Sequence, residues 1–404
     1  IGKDTRKSGD MLEAALTAGL CSMGAKVIPL GVVPTPAVAY LTRYYKADAG
    51  VVISASHNPC EYNGIKFFNS DGYKLSDGIE NEIESYILGE KAIEELPTHG
   101  KVGYVSANHN AVEDYVAFAV STIDCRLDGM KIAVDCANGA SYETAFKALN
   151  KLGANVEAIH NTPDGVNINH MCGSTHMESL QAYVTSIGAD IGIAFDGDAD
   201  RMLAVDENGK LIDGDQIMAA CAKFMRDNGT LKQNTLVATV MSNLGLFMAG
   251  EKIGINILRT KVGDRYVLEE MLAKGYNIGG EQSGHIIFLD HNTTGDGLVS
   301  ALQFLSVLKK TGMKASEAAS IVTVMPQVLR NAVVKLENKN SYMENEEIAA
   351  ACKALEDEFA GEGRVLIRPS GTEPLVRVMI EGKDEEYITK KAEELAELIE
   401  KILG

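Results

Sequence analysis

The segment Ala49–Leu75, AGVVISASHNPCEYNGIKFFNSDGYKL, decides how the rest of the chain is read. It opens with an uninterrupted apolar run, Ala49–Ile53, of the length expected for a strand buried on both faces of a sheet. The run passes into small polar residues and then Ser56-His57-Asn58-Pro59. A residue before proline is pushed away from helix, so a turn is predicted at Asn58-Pro59. A serine therefore stands at the end of a rigid strand with a histidine beside it, where α/β sheets carry their chemistry. Taken alone, the same residues also describe a serine-rich loop leading into a hairpin.

Outward from this segment, strand-like and helix-like runs alternate for most of the chain. Lys131–Cys136 is followed by a helical Glu143–Leu152, then a strand at Val156–His160, a helix at Leu180–Ile187 and a strand at Asp190–Phe195. Thr235–Val240 and Asn256–Arg259 repeat the pattern. Such alternation predicts βαβ units and parallel pairing. The rhythm changes at Ala92–Ala107, Asn208–Gly214 and Pro326–Asn331, which predicts four domains: 1–107, 108–212, 213–326 and 327–404. The last reads strand, helix (Asn345–Phe359), strand, strand, helix (Glu385–Leu403), an α+β pattern. Its final helix carries an apolar stripe at Ala392, Leu395, Ala396 and Ile399.

Composition narrows the possibilities. The 404 residues are 46% hydrophobic and 23% charged, an ordinary globular profile. The net charge of −18 argues against nucleic-acid and anionic-membrane partners. An anionic small substrate remains compatible, because a local Arg/Lys cluster overrides the global field. The seven cysteines form no CxxC pair, which fits reduced thiols and a cytoplasmic location. No apolar run reaches the roughly 18 residues of a membrane span. The first residue is Ile rather than Met, so a preceding segment is expected.

Three further loops carry chemistry. Asp196-Gly197-Asp198-Ala199-Asp200-Arg201 follows an apolar strand and sets three carboxylates at alternate positions of a tight turn. Carboxylates so close repel strongly, and a hard divalent cation resolves that. A calcium loop of EF-hand type would put Glu207 at its twelfth position, but Arg201 stands sixth, where that loop needs glycine. Gly279–His285, GGEQSGH, combines close-approach glycines with Glu281, Ser283 and His285, which suit sugar hydroxyls and proton transfer. Arg368-Pro369-Ser370-Gly371-Thr372-Glu373-Pro374, with Arg377 beyond, has the donors of a phosphate cradle. Arg6, at a strand exit, is expected to face a bound phosphate, and Lys261 is a candidate acid or base. Gly295-Asp296-Gly297 completes neither a dinucleotide nor a P-loop pattern and is set aside.

Taken in order, SASHNP, DGDADR, GEQSGH and RPSGTEP resemble the four signature loops of the α-D-phosphohexomutases, over essentially the whole chain. GGEQSGHIIF followed by DHNTTGDG is most similar to the bacterial phosphoglucosamine mutase branch, the discriminating residue being Gln282. The resemblance implies an α/β fold: three related α/β domains with mixed sheets plus a C-terminal α+β domain, arranged around a central active-site cleft. It implies exchange of glucosamine 6-phosphate and glucosamine 1-phosphate, feeding UDP-N-acetylglucosamine and cell-wall precursors. Ser56 would carry the phosphoryl group, with Arg6, His57, Lys261 and Arg201 as catalytic residues. One Mg²⁺ would be held by Ser56, Asp196, Asp198 and Asp200. Substrate would be bound by Glu281, Ser283, His285, Arg368, Ser370, Gly371, Thr372 and Arg377. A glucosamine or glucose 1,6-bisphosphate would serve as activator, and a homodimer is the expected assembly. Family members carry an additional N-terminal segment with an arginine-bearing motif that this sequence does not include. A phosphoglucomutase or phosphomannomutase, a metal-dependent phosphatase and a non-catalytic phosphosugar-binding protein are the competing readings.

Overall fold

The structure, a computed structural model, describes every residue except Glu94, Asn108, Met343, Gly371 and Thr372. Three of its sheets follow one plan. The first has β1 (Gly2–Lys3), β2 (Gly31–Val32), β3 (Ala49–Ile53) and β4 (Ile65–Asn69), in the order β2-β1-β3-β4. Its first two pairings are parallel and its last is antiparallel. The second has β5 (Lys131–Asp135), β6 (Asn155–Ile159), β7 (Ile191–Phe195), β8 (Met202–Asp206) and β9 (Leu211–Ile212), in the order β9-β8-β7-β5-β6. The third has β10 (Thr235–Thr239), β11 (Asn256–Thr260), β12 (Ile278–Gly280) and β13 (Ile286–Phe288), in the order β11-β10-β12-β13.

Parallel neighbours need a crossover, and helices supply it in each case. Ser141–Lys151 and Glu178–Ile187 join β5 to β6 and β6 to β7. The antiparallel step is then made by the strand that leaves a signature loop: β3 to β4 through the serine loop, β7 to β8 through the aspartate turn, β12 to β13 through the GEQSGH loop. The sheets are thus mixed. All five residues of β7 are buried, so the aspartates that follow leave a rigid, apolar support.

The chain divides into two compact units, Ile1–Met241 with Ile253–Ile321, and Ser242–Lys252 with Val322–Gly404. The first two expected domains therefore lie within one compact unit, and so does the third apart from Ser242–Lys252 and its last residues from Val322. The break into the last segment falls at Ile321/Val322, slightly before the expected Pro326–Asn331. Asn208–Gly214, expected as a crossing between domains, is ordered: Leu211–Ile212 forms β9, and Asp213 caps the helix Gly214–Asp227 through a capping box with Gln216. In the smaller unit β14 (Gln327–Val333), β15 (Arg364–Pro369) and β16 (Leu375–Glu381) form an all-antiparallel sheet, order β14-β16-β15. The stripe Ala392, Leu395, Ala396 and Ile399 of the helix Glu385–Leu403 is buried in that unit's own core. Among the described residues no helix is long and apolar enough to cross a membrane.

Candidate active site

Ser56 sits where β3 ends, with a backbone φ of 53°, in the left-handed region that few non-glycine residues occupy. Its hydroxyl donates to Asp196 Oδ2 at 2.7 Å and lies 3.5 Å from His57 Nδ1. Its backbone N–H donates to Ser54 Oγ at 3.0 Å, and Ser54 in turn donates to Asp4. Desolvation and the Arg201 charge hold the His57 imidazole below the ordinary histidine value.

Arg6 corrects an expectation. Instead of facing a phosphate it is buried and directs its guanidinium inward. Nε pairs with Asp4, Nη1 donates to the carbonyls of Pro59 and Tyr62, and Nη2 to those of Ser56 and Asn58. Asn169 Nδ2 donates to the same Ser56 and Asn58 carbonyls, at 2.9 and 3.0 Å. Arg6 and Asn169 together fix the serine loop, which accounts for a left-handed serine persisting there.

The three aspartates converge as expected. Asp196, Asp198 and Asp200 are buried and each places a carboxylate oxygen within 4.8 Å of the others. Oδ1 of Asp198 and Oδ1 of Asp200 are buried without a hydrogen-bond partner. Orphaned buried carboxylate oxygens are costly, and an all-oxygen set of this kind suits Mg²⁺. Part of the charge is met from within: Lys66 Nζ lies 2.7 Å from Asp198 Oδ2 and 3.6 Å from Asp200, and Thr35 Oγ1 donates to Asp198 at 2.6 Å. Burial pushes the Asp196 carboxyl well above its ordinary value, reinforced by Asp200 and Asp198. Burial alone would raise Asp198 too, but the Lys66 ammonium overrides it and holds that carboxyl low. Arg201 keeps its charge despite burial because Asp196, Asp200 and Glu281 surround it, with Nε 3.9 Å from Asp200.

The GEQSGH loop meets this turn within the same unit. Met202 N–H donates to the Gly284 carbonyl at 3.0 Å. Gly284 has φ +91°, and a β-carbon there would stand 2.3 Å from the Met202 carbonyl oxygen, so glycine is required. Ser283 is exposed and Glu281 half-buried, its Oε1 accepting from the Gly263 N–H at 3.1 Å. His285 is buried, with both ring nitrogens lacking a hydrogen bond and Nε2 3.6 Å from Asp264. Gln282 turns toward Asp213, donating to its Oδ2 at 3.0 Å. Lys261 is exposed, its ammonium 5.6 Å from the Tyr266 ring centroid.

The smaller unit holds the fourth loop. Gly371 and Thr372 lie outside the described residues. Arg368 and Arg377 are direct cross-strand partners on β15 and β16. Like charges placed opposite one another destabilise a sheet pair. Burial and Arg377 hold the Arg368 guanidinium below its ordinary value. Arg377 pairs with Glu373 at 3.1 Å, yet its Nε is buried and has no hydrogen-bond partner among the described residues. Lys339 Nζ donates to the Ser370 carbonyl at 3.1 Å, and the Ser370 hydroxyl reaches Glu373 at 3.2 Å. The cluster is the arrangement an anion relieves.

Lys66, Thr35 and Asn169 are the residues sequence reasoning missed. Lys66 left a signal, a lysine inside the apolar strand IKFF, but its direction depends on the pairing of β4 with β3, where it stands opposite Val52. Thr35 and Asn169 left none.

Comparison with known proteins agrees with this arrangement. Models of the phosphoglucomutase/phosphomannomutase family match in chain order: α/β/α domain I at residues 1–94, domain II at 112–209, domain III at 213–325 and the C-terminal domain at 332–398. A phosphoglucosamine mutase of Ruminiclostridium cellulolyticum is 63% identical over 400 residues, covering 99% of this chain and 89% of that protein. A phosphoglucomutase/phosphomannomutase family protein of Burkholderia thailandensis shares the fold, with TM-score 0.81 at 23% identity over 98% of this chain and 88% of that one. So does the N-acetylphosphoglucosamine mutase of Aspergillus fumigatus, solved with GlcNAc-6P and magnesium, with TM-score 0.70 at 19% identity over 92% and 93% of the two chains. Three sheets of one plan, each delivering its signature loop at the same step, and a relative alike along nearly its whole length lead to one conclusion: this chain belongs to the phosphoglucomutase/phosphomannomutase family.

Proposed function

We propose that the chain is an isomerase that interconverts glucosamine 6-phosphate and glucosamine 1-phosphate through a phosphorylated Ser56. The observation that carries this reading is the Ser56 hydroxyl held 2.7 Å from Asp196, at the edge of three converging carboxylates. The phosphoryl group would leave Ser56 Oγ as a bond forms to the free oxygen of the sugar phosphate, giving a 1,6-bisphosphate. That intermediate would reverse and return its other phosphoryl group to Oγ, so the serine ends as it began. A Mg²⁺ held by Asp196, Asp198, Asp200 and an oxygen of the phosphorylated serine would offset the charge of the group in transfer. Arg6 and Asn169 hold the serine backbone still, which keeps Oγ in line. Lys66 and Arg201 add positive charge on the aspartate side. Ser283 and Glu281 would hold sugar hydroxyls. Arg368 and Arg377 would grip the phosphate that is not being transferred.

The name borne by the bacterial relative supports glucosamine over glucose or mannose. The reading also carries a cytoplasmic location, a bisphosphate activator and a homodimer. Its test is to assay glucosamine, glucose and mannose 6-phosphates side by side with Mg²⁺ and a 1,6-bisphosphate. Glucosamine 6-phosphate should turn over fastest, with isomer and no inorganic phosphate as product. Faster turnover of another sugar, or phosphate release, would replace this reading by one of its competitors. Intact mass of the purified chain should show a fraction heavier by one phosphate, lost in Ser56→Ala.

A further inference from the structure

A second group of metal-ligating side chains stands at the loop ends of β5 and β6. Asp135 ends β5, His160 follows β6, and Cys172 precedes the short helical turn Gly173–Thr175. A carboxylate oxygen, an imidazole nitrogen and the sulfur lie within 4.8 Å of one another. Asp135 and Cys172 are fully buried, while the His160 side chain is 31% exposed and opens a path from solvent. His160 Nδ1 is 2.9 Å from Asp135 Oδ2. The Cys172 sulfur meets a donor at Asn138 Nδ2, at the long distance of 4.0 Å.

The carboxylate is oriented by its surroundings. Oδ1 accepts from the Ala137 N–H at 2.8 Å and Oδ2 from the Gly173 N–H at 3.0 Å. Backbone support of this kind is what orients metal-ligating carboxylates. Ala137, Asn138, His160 and Met171 all have left-handed backbones, with φ between 47° and 53° for the first three and of 51° for the last. The chain thus accepts several unfavourable conformations around these three side chains.

We propose that Asp135, His160 and Cys172 bind one transition-metal cation of the zinc class, separately from the aspartate turn. One oxygen, one nitrogen and one sulfur ligand suit tetrahedral Zn²⁺ or Co²⁺, whereas the all-oxygen aspartate turn suits Mg²⁺. The cation would take the place of the proton between Nδ1 and Oδ2, and their separation would open to roughly 3.3 Å, the spacing set by tetrahedral bonds near 2 Å. The fourth position, on the His160 side, would be water. The site would matter to the serine loop, because Asn169, three residues before Cys172, holds the Ser56 and Asn58 carbonyls.

The test is a Co²⁺ titration of the metal-stripped full chain in excess Mg²⁺, followed by absorbance. A thiolate-to-cobalt charge-transfer band in the near ultraviolet should saturate at one Co²⁺ per chain and be bleached by Zn²⁺. Cys172→Ser should abolish the band, and His160→Gln should weaken Co²⁺ binding by about tenfold or more. Absence of the band in the natural chain, or its persistence in Cys172→Ser, overturns the proposal. His160→Gln, at a partly exposed position, decides the matter if Cys172→Ser does not fold: unchanged Co²⁺ affinity there overturns it equally.

Discussion

The aspartate turn and the Arg368–Arg377 strand pair both concentrate like charge, and they manage it in opposite ways. The turn brings its own compensation: Lys66, Thr35 and Arg201 all reach the carboxylates, though Oδ1 of Asp198 and Oδ1 of Asp200 stay buried without a hydrogen bond among the described residues. The arginine pair stands face to face across two strands, and among the described residues Glu373 pairs with Arg377 and no carboxylate pairs with Arg368. The first region is assembled before any ligand arrives. Among the described residues the second is left with its repulsion, which a bound anion would relieve. If the proposed roles hold, a site that keeps its cation can be built tight, whereas one that releases and recaptures a phosphate would gain from being uncompensated.

The largest effect should come from the serine. Ser56→Ala should lower mutase turnover by on the order of 10⁴-fold or more, as nucleophile removal does elsewhere, with the fold retained. Near-normal activity would remove the phosphoserine from the mechanism. Asp198→Ala should abolish Mg²⁺-dependent turnover and leave Lys66 with Asp200 at 3.6 Å as its remaining carboxylate. A normal Mg²⁺ dependence in that variant would show that the turn is not the metal site.

Arg6→Ala tests the pre-built character of the first region through stability. Both members of the Arg6–Asp4 pair have fully buried side chains, and removing one partner of a buried pair costs about 3–5 kcal/mol. Denaturant unfolding should show a loss of that size. A loss below about 1 kcal/mol would mean the guanidinium does not hold the loop.

Arg368→Ala should act on binding and spare the fold. A charge-assisted contact is worth about 1.5–3 kcal/mol, so kcat/KM should fall roughly 10- to 150-fold, mainly through KM and with both the 1-phosphate and the 6-phosphate. The smaller unit should become no less stable, because a cross-strand repulsion is removed. A loss confined to one substrate would argue that the loop contacts something other than the distal phosphate. The smallest effect is expected at Gln282→Ala, which removes one hydrogen bond to the Asp213 cap, about 0.5–1.5 kcal/mol. If sugar preference moved while stability did not, Gln282 would contact substrate rather than brace its loop.

Much of the fold is legible in the sequence because its strands are short apolar runs with clear ends. Ala49–Ile53 and the helix Glu385–Leu403 agree with the sequence reading to the residue, and the strands at Lys131, Thr235 and Asn256 agree to within one residue at their ends. The aspartates are legible because three carboxylates within five residues, straight after a buried strand, repel strongly and call for nearby positive charge. Arg6 escapes such a reading because its surroundings come from a loop fifty residues away: a strand-exit arginine looks the same in sequence whether it points to solvent or into carbonyls. Lys66 is hidden for the same reason. Its partner Asp198 is 132 residues distant, and only the antiparallel pairing of β4 with β3 brings it there.

The left-handed backbone of Ser56 sets two selective pressures against each other. A β-carbon in that region costs on the order of 1–2 kcal/mol, which glycine would not incur. A laboratory selection for heat resistance that ignored turnover would therefore tend to accept Ser56→Gly. Only a selection that scores product can keep the hydroxyl. Position 56 is thus where durability and output of this protein should trade directly, and an improvement programme should hold it fixed while varying everything around it.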